Sequence, residues 1–295
     1  MTGISSNKTV YPTQTDPLIL IADSGSTRTE WGVAHNGKLI RRVVTGGMNP
    51  YFQSADDMDR IINLDLKPKL EGCKLHSAFF YGAGCGSPDK QQFTAGRIEN
   101  SLGVPANVNS DMLGAARALL GRRRGIACIL GTGSNSCMYG GEDIIDQVPA
   151  LGFILGDEGS GASLGKHLVN ALFKRKLPRH IASKLLKERE LSQAEVLERV
   201  YRAPFPNRYL AGFTTFLKEN IGEDSIRQLV FNSFKSFFER NVMGYDGCSN
   251  EVVCFAGSVA YYFADVLRSA AESFPITLGS IVQNPMEGLA AYHSS

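Results

Sequence analysis

The chain has 295 residues, a length that suits two domains better than one. Hydrophobic residues make up 43% of the chain and charged residues 20%, which is typical of a globular protein and excludes a disordered one. The net charge of +2 is too small to create the field that attracts nucleic acid, so we expect no nucleic-acid partner.

The beginning of the chain predicts a polar arm followed by three antiparallel strands. Residues 1–17 are polar and lack the apolar core of a signal peptide. Leu18–Ala22 is a continuous apolar run, which predicts a buried strand that ends in the turn Asp23–Thr27. Two more apolar segments flank Asn36–Gly37, and this pair favours a hairpin because both residues tolerate positive φ.

An alternation of helices and strands follows, and the opening pattern then returns. Residues 54–70 and 89–102 predict helices on either side of the strand Ser77–Tyr81. Gly125–Leu130 predicts another buried strand, which ends at the polar turn Gly131–Asn135 before a second hairpin. Because the order of strand, polar turn and hairpin occurs twice without residue-level repetition, we expect two domains of similar architecture.

The rest of the chain predicts a helical insertion and a further strand. Residues 160–245 keep helical spacing, with a capping box at Ser192 and Glu195 and an aromatic stripe that we expect to be core. Val252–Ala256 predicts a strand that ends in the small turn Gly257–Ser258 before another helix.

Three strand ends thus carry small, hydroxyl-rich turns. Such turns let backbone amides approach a phosphate closely and add hydroxyl donors to its oxygens. Each turn alone is as consistent with an ordinary loop as with a ligand site. Neither a Walker A sequence nor a GxGxxG dinucleotide fingerprint is present, so the usual single-loop solutions to nucleotide binding do not apply.

The six cysteines indicate a reducing compartment and no metal cluster. No pair has CxxC spacing, so neither a zinc site nor a redox motif is expected. Cys128 lies in an apolar run, where a free thiol behaves as a small buried hydrophobic residue. Since no apolar stretch is long enough to span a bilayer, we expect a cytoplasmic protein with no membrane partner.

Five motifs, in order along the chain, resemble those of the BadF/BadG/BcrA/BcrD-type ATPase family. They are Asp23–Arg28 (DSGSTR), Asn109–Asp111 (NSD), Gly131–Asn135 (GTGSN), Gly156–Ser160 (GDEGS) and Ala256–Val259 (AGSV). Within that family the chain is most similar to N-acetylglucosamine kinases, members of the superfamily of sugar kinases, heat-shock ATPases and actin. The resemblance extends from Leu18 to Ala291 and implies an α/β fold of two ribonuclease H-like domains, the actin-like ATPase fold, with an interdomain cleft.

The resemblance also implies an ATP-dependent kinase that phosphorylates an amino sugar, first of all N-acetylglucosamine to its 6-phosphate, with Mg²⁺. Asp111 matches the catalytic base, and Asp23 matches the aspartate that holds Mg²⁺ through water. The nucleotide-binding positions are matched by Gly25, Ser26 and Thr27 in the first phosphate motif, by Gly131, Thr132, Gly133 and Ser134 in the second, and by Gly257 and Ser258 in the adenosine motif. Asn49, Asp111 and Asp157 match sugar-binding positions, whereas Arg28 and Glu30 are left without a role.

Each proposed acidic or amide ligand also has a structural interpretation. An aspartate with an ordinary pKa of about 3.9 is ionised at neutral pH, so Asp111 can accept a hydroxyl proton during phosphoryl transfer. It could also cap the helix that follows, and the two roles are compatible. Asp157 and Glu158 could begin a helix, with Glu158 as a capping or supporting residue. Asn49, which precedes Pro50, could be a turn residue.

The segment before GDEGS departs from the family pattern and leaves the sugar open. It reads Val148–Leu155 (VPALGFIL), where N-acetylglucosamine kinases are rich in Trp and Gly. Glucosamine, another N-acyl hexosamine and a muramic-type sugar are therefore alternative substrates.

An alternative function within the same family is an ATPase activator of 2-hydroxyacyl-CoA dehydratases or benzoyl-CoA reductases. Such a protein needs exposed cysteine ligands for a bridging iron–sulfur cluster. Cys128 lies in a predicted buried strand, and Cys137 is too close to it in sequence to complete the widely spaced pair. A sugar sensor without catalytic activity would carry a damaged motif, and none of the five motifs is damaged.

The motif positions predict the domain organisation. We expect an N-terminal domain over residues 18–112, to which a C-terminal helix at about 285–295 returns, and a C-terminal domain over residues 113–284 that carries the helical insertion. ATP, Mg²⁺ and the amino sugar would bind in the cleft between the domains. The helix-rich second domain is compatible with a homodimer.

Overall fold

The computed structural model describes residues 17–25 and 27–294. Apart from Pro17, the predicted polar arm lies outside the described residues, as does Ser26 of the first turn. The described chain forms two mixed five-stranded sheets with helices packed on them. The α/β fold of two similar domains that the sequence predicts is therefore confirmed.

The first sheet has the strand order β3-β2-β1-β4-β5. Its strands are β1 (Leu18–Ser24), β2 (Arg28–His35), β3 (Lys38–Gly46), β4 (Leu75–Gly82) and β5 (Ala106–Ser110). The first three are antiparallel, and Asn36 and Gly37 both adopt positive φ in the tight turn between β2 and β3. β1, β4 and β5 are parallel. One face is covered by α2 (Pro88–Leu102) and by α1 (Ala55–Arg60), which continues to Leu70 through a π turn and a 3₁₀ turn.

The second sheet repeats this arrangement. Helix α3 (Asp111–Leu120) leads into it, and the strand order is β10-β9-β6-β7-β8. The strands are β6 (Gly125–Leu130), β7 (Ser134–Tyr139), β8 (Ile144–Asp146), β9 (Val252–Ala256) and β10 (Thr277–Val282).

Most of the helices lie in an insertion between β8 and β9. They are α4 (Gly152–Leu155), α5 (Gly161–Phe173), α6 (Arg179–Arg189), α7 (Gln193–Tyr201), α8 (Pro206–Ala211), α9 (Thr214–Glu219) and α10 (Asp224–Arg240). After β9 come α11 (Ser258–Tyr262) and α12 (Ala264–Ala271). None of the helices within 17–25 and 27–294 combines the length and the apolar character needed to cross a bilayer.

Helix α10 provides much of the core of the second domain. Ile226, Val230, Phe234 and Phe237 recur with a helical period, and each is 0% exposed. Phe237 packs against Phe255 of β9 with ring centroids 6.0 Å apart. The aromatic stripe is therefore core, as its spacing predicts.

Two crossing helices join the domains. Helix α3 crosses α13 (Met286–Tyr292), which also packs onto the first sheet. At the crossing, a Cβ on Gly288 would lie 2.2 Å from the carbonyl oxygen of Ala118, so only glycine permits this approach. Gly114 of α3 lies against β4 in a similar way, because a Cβ there would lie 2.7 Å from the side chain of Tyr81. The domain boundaries at residues 112 and 284 stay predictions.

Candidate active site

Three parallel strands end at one edge of the first sheet. β1, β4 and β5 are in register, so Ser24 lies beside Gly82 and Gly82 beside Ser110. Asp23 and Asp111 are therefore brought to the same edge, although they are far apart in the sequence. Ile21 packs under α13. Asp23 is two residues further along the same strand, so its side chain lies on the same face of the sheet, the face that carries α3 and α13.

The carboxyl groups of Asp23 and Asp111 are close enough to interact. Burial first, and then the charges of Asp111 and Glu30, raise the pKa of Asp23 to about 7, and Arg28 opposes the rise. Burial also raises the pKa of Asp111, whereas the N–H of Met112, which donates to its Oδ1 at 2.9 Å, lowers it. Two carboxylates that repel each other in this way favour the binding of a cation beside them.

Asp111 is the first residue of α3 and not its N-cap. Ser110 holds the cap position, where its Oγ accepts a hydrogen bond from the N–H of Leu113 at 3.2 Å. The interpretation of Asp111 as a capping residue is therefore wrong. The Asp111 carboxylate still accepts the N–H of Met112 in the first turn of α3, so its own helix holds it at the sheet edge.

Hydrogen bonds fasten the first turn to the segment that contains Asn49. The Oγ of Ser24 lies 2.7 Å from the Oγ1 of Thr29 and accepts the N–H of Met48 at 3.1 Å. The carbonyl oxygen of Thr27 accepts the N–H of Gly47 at 3.0 Å. The end of β1 and residues 47–49 are thereby held as one unit.

Asn49 lies in a turn that touches the loop after β4. Its Oδ1 accepts the N–H of Tyr51 at 3.0 Å, as expected of a turn residue. Gly84 packs against the same oxygen, because a Cβ there would lie 2.5 Å from it. Burial raises the pKa of the neighbouring Cys85 to about 11, and the charge of Asp111 adds to that rise. The turn at Asn49, the loop after β4 and Asp111 are thus neighbours.

In the second domain the GTGSN and GDEGS motifs form one unit. The N–H of Ser134 donates to Oδ1 of Asp157 at 3.2 Å, and a Cβ on Gly133 would lie 3.0 Å from Oδ2. Two N–H groups at the start of α5 donate to carbonyl oxygens of the GTGSN turn at 2.8 and 3.0 Å. Asp157 is buried, and its backbone is left-handed with φ of 57°.

Neither carboxylate of GDEGS caps α5. The N-cap is Ser160, whose Oγ accepts the N–H of Ser163 at 3.1 Å. The interpretation of Asp157 and Glu158 as the start of a capped helix, with Glu158 as its cap, is therefore wrong. Glu158 accepts a hydrogen bond from Arg240 of α10 at 3.3 Å and thereby supports the loop from outside.

The third small turn abuts the second. Gly257 has φ of 118°, and a Cβ there would lie 2.3 Å from the carbonyl oxygen of Leu130, so this close approach requires glycine. Ser258, which is exposed, begins α11. Because Leu130 directly precedes Gly131, the GTGSN turn and the Gly257–Ser258 turn meet at one edge of the second sheet.

The predicted site residues form two groups, one at an edge of each sheet. The first consists of Asp23, Gly25, Thr27, Asn49 and Asp111, and the second of Gly131, Thr132, Gly133, Ser134, Asp157, Gly257 and Ser258. Within each group the residues are brought together from separate strands. Ser26 lies outside the described residues, so its predicted phosphate contact stays a prediction.

Glu30 is a residue of this region to which the sequence assigns no role. It pairs with Asp23 across the β1–β2 ladder, and its buried carboxylate accepts hydrogen bonds from Arg28 at 3.3 Å and from Arg42. Asn284, in the link between β10 and α13, also donates to it. The sequence predicts that β1 and β2 are antiparallel neighbours, which places residue 30 opposite residue 23. This expected pairing is the signal that could have identified Glu30 as part of the site.

The cysteines do not suit a bridging iron–sulfur cluster. Cys85, Cys128, Cys137, Cys248 and Cys254 are buried free thiols, and Cys73 is half-buried. The part of the chain that the structure describes also contains no group of three or more His, Cys, Asp or Glu residues that could hold a metal. The burial of these thiols disfavours the ATPase activator, which needs exposed cysteine ligands.

No protein-family model matches the chain, and no curated protein has a significantly similar sequence. Solved structures do match. A protein from Chromobacterium violaceum that is provisionally named an N-acetylglucosamine kinase is 17% identical over 94% of this chain and 98% of that chain, with a TM-score of 0.68. A ROK family glucokinase from Streptomyces griseus, in complex with glucose and AMPPNP, is 14% identical over 93% of this chain and 97% of that chain, with a TM-score of 0.57. At these identities the likeness shows the fold alone.

A structure from Porphyromonas gingivalis is far more similar. That protein, also provisionally named an N-acetylglucosamine kinase, is 43% identical over 94% of this chain and 98% of that chain, with a TM-score of 0.90. The chain therefore belongs to the same family of sugar kinases as the Porphyromonas gingivalis protein, within the actin-like two-domain fold.

Proposed function

We propose that this protein is an N-acetylglucosamine kinase of the BadF/BadG/BcrA/BcrD type, which transfers the γ-phosphate of ATP to the sugar and releases the 6-phosphate and ADP. The observation that carries the proposal is the interacting pair of carboxyl groups, Asp23 and Asp111, at the end of the parallel strands. The provisional name of the Porphyromonas gingivalis protein supports N-acetylglucosamine as the first sugar to test. Glucosamine and other N-acyl hexosamines are the alternative acceptors.

In this proposal Asp111 is the general base. The oxygen of the sugar hydroxyl attacks the γ-phosphorus, and the bond between this phosphorus and ADP breaks. The proton of the sugar hydroxyl passes to the Asp111 carboxylate. Asn49 would bind a sugar hydroxyl from the first domain, and Asp157 would bind another from the second. Closure of the cleft would then exclude water, which would otherwise accept the phosphoryl group.

The glycine turns would hold the nucleotide. Gly25, Ser26 and Thr27 would contact the β- and γ-phosphates from the first domain, and the GTGSN turn, Gly131 to Ser134, would contact them from the second. Gly257 and Ser258 would lie against the adenosine. The meeting of the second and third turns beside Leu130 supports this arrangement, because one nucleotide could then touch both.

Mg²⁺ suits the chemistry of Asp23. Mg²⁺ is a hard cation that prefers oxygen ligands and gives up its bound water reluctantly. One or two protein carboxylates that contact this bound water are therefore enough to hold it. The raised pKa of Asp23 reflects an excess of negative charge at this edge as well as burial, and a dication would relieve that excess. When bound, Mg²⁺ would neutralise charge on the phosphates.

A coupled assay of ADP release tests the proposal, with N-acetylglucosamine, glucosamine, glucose, N-acetylmannosamine and N-acetylmuramic acid as acceptors. We expect ADP release to depend on the sugar, and Asp111→Asn to lower kcat by roughly 10³-fold with ATP binding retained. Asp224→Asn is the matched control, because Asp224 is also the first residue of a helix but is exposed. ATP hydrolysis that ignores every sugar, or full activity in Asp111→Asn, would contradict the proposal.

A cytoplasmic location and a homodimer also stay predictions. Sedimentation of the purified chain over a range of concentrations tests the second, and a single monomeric species would contradict it.

A further inference from the structure

A concave site lies in the helical insertion, behind the GDEGS loop. This site, the α5–α7 pocket, is a cavity of about 440 Å³ between α5, α7 and the segment Phe153–Ile154. Its walls include Val169 and Phe173 of α5 and Leu197 and Val200 of α7. Its size and its largely apolar walls are those of small-molecule pockets, which span roughly 300–1,000 Å³.

The apolar surface around the pocket is not needed for the core. On α7, Val196 is buried, but Leu197 is 47% exposed and Tyr201 is 78% exposed. On the opposite wall, Ile154 is 75% exposed. A concentration of exposed apolar side chains around a cavity indicates a binding site rather than scattered surface residues.

Two lysines give the pocket a charge preference. Lys166 of α5 and Lys174, the C-cap residue that follows this helix, stand eight residues apart. Asn170 lies midway between them, so all three recur at four-residue spacing along one side. All three line the pocket. Apolar walls edged by two ammonium groups complement a ligand with an aliphatic body and a negative head, and they disfavour a cationic ligand.

We propose that the α5–α7 pocket binds a small amphipathic anion, an aliphatic chain ending in a carboxylate, and that this ligand modulates the sugar site.

Lys166 connects the pocket to that site. Its Nζ donates to the carbonyl oxygen of Phe153 at 3.3 Å, in the segment that leads into GDEGS. Burial raises the pKa of Asp157, and the ammonium group of Lys166 opposes this rise, so the two charges interact. An anion bound to Lys166 would compete for that ammonium group and also fix the segment before Asp157. Since coupling between two sites is reciprocal, the anion and the sugar change each other's affinity by the same factor.

Calorimetric titration with octanoate, octan-1-ol and octylamine tests the binding step. We expect octanoate to bind at least about tenfold more tightly than either matched probe. Lys174→Met removes one charge and lowers octanoate affinity severalfold, and Leu197→Trp fills the cavity and abolishes binding. Lys187→Met, on the exposed side of α6, is the control and leaves affinity unchanged. Thermal melts of the variants verify that each is folded.

Three outcomes would overturn the binding step. Equal binding of octanoate and octan-1-ol would show that the lysines do not select the ligand. Undiminished octanoate binding in Leu197→Trp would place the ligand elsewhere. A concentration-dependent dimer that Leu197→Trp disrupts, without octanoate binding, would assign the pocket to a second copy of this chain.

The coupling step rests on the proposed sugar kinase function, whereas the binding step does not. We expect octanoate to change the affinity for N-acetylglucosamine severalfold, and the sugar to change octanoate affinity by the same factor. Octanoate that binds without this reciprocal change would overturn the modulation. A chain that binds octanoate but phosphorylates no sugar would overturn the kinase function and leave the pocket intact.

Discussion

A partly buried carboxyl group whose pKa is higher in the folded protein than in the unfolded chain opposes folding once the pH exceeds the pKa of the unfolded chain, and Asp23 is such a group. Its pKa rises from 3.8 to about 7, through burial first and then through the charges of Asp111 and Glu30. The folded protein therefore holds this proton more tightly than the unfolded chain does. Its contribution to stability is fully present below the ordinary pKa of 3.8 and is lost as the pH rises to about 7. The same charge that opposes folding is what would attract a cation.

We therefore expect Asp23→Asn to stabilise the protein without metal at about pH 8, where Asp23 is ionised in the folded and the unfolded state, and to stabilise it distinctly less at about pH 5, where the folded protein keeps the proton and only the unfolded chain is ionised. A rise in Tm of several degrees at the higher pH is the expected size. Differential scanning calorimetry in a chelating buffer measures it, and Asp224→Asn is the control. The variant should also lose Mg²⁺-dependent activity. An equal change in Tm at both pH values would contradict the assigned titration.

At the scale of elements, the position of Asp111 depends on how closely α3 can lie between the first sheet and α13. The Tyr81 side chain packs directly against Gly114, and the backbone of Ala118 packs directly against Gly288 of α13. Both contacts are too short for a methyl group. Asp111 stands one turn before Gly114, so a displaced α3 would carry the carboxylate away from Asp23.

Gly288→Ala should destabilise the protein by roughly 1–3 kcal/mol, because the new methyl group meets a backbone carbonyl that cannot rotate away. Gly96→Ala is the matched control. Gly96 also lies within a helix, but a Cβ there meets nothing within 4 Å, so alanine should stabilise by about 0.5–1 kcal/mol through helix propensity. Urea denaturation of the two variants gives both values. The same sign for both changes would contradict the packing argument.

Local patterns in the sequence are enough to predict most of these elements but not all of them. The first hairpin follows from Asn36–Gly37, and β1 and β6 follow from continuous apolar runs. β5 does not follow from such a pattern, because Ala106–Ser110 (ANVNS) has one buried apolar residue and becomes a strand through pairing with β4. β10 escapes prediction as well, since its residues are only partly buried or exposed.

The candidate site also has some features that local patterns predict and others that they do not. The turns could be predicted because glycine and hydroxyl residues mark them directly. The contact between Glu30 and Asn284 joins residues 254 positions apart, and no local pattern carries that information. The capping roles could not be assigned from residue type, because Ser110 and Asp111, or Asp157 and Ser160, are equally good caps by that measure.

At the scale of the whole molecule, Arg117 connects the two sheets. From α3 it donates to the hydroxyl of Tyr81 in the first sheet at 3.1 Å, and to the carbonyl oxygen of Glu142, between β7 and β8, at 3.3 Å. Its guanidinium group also lies 5.1 Å from the centroid of the Tyr292 ring on α13. One side chain therefore contacts both domains and the helix that returns between them.

Arg117→Lys should loosen this connection, because a single ammonium group cannot keep both hydrogen bonds and the ring contact. We expect a loss of roughly 1–3 kcal/mol and a splitting of thermal unfolding into two transitions, one for each domain. Calorimetry detects both effects, with Arg179→Lys on the surface of α6 as the control. A single transition at the original Tm would show that Arg117 does not couple the domains.

Because the thiols differ in burial, one of them can be labelled selectively. A maleimide dye added to the native protein should attach first at Cys73, because the other five sulfur atoms are shielded. Cys73 precedes β4, so the label would mark the first domain alone. With a second dye on α6 of the second domain, energy transfer between the two dyes would report the distance between the domains in real time.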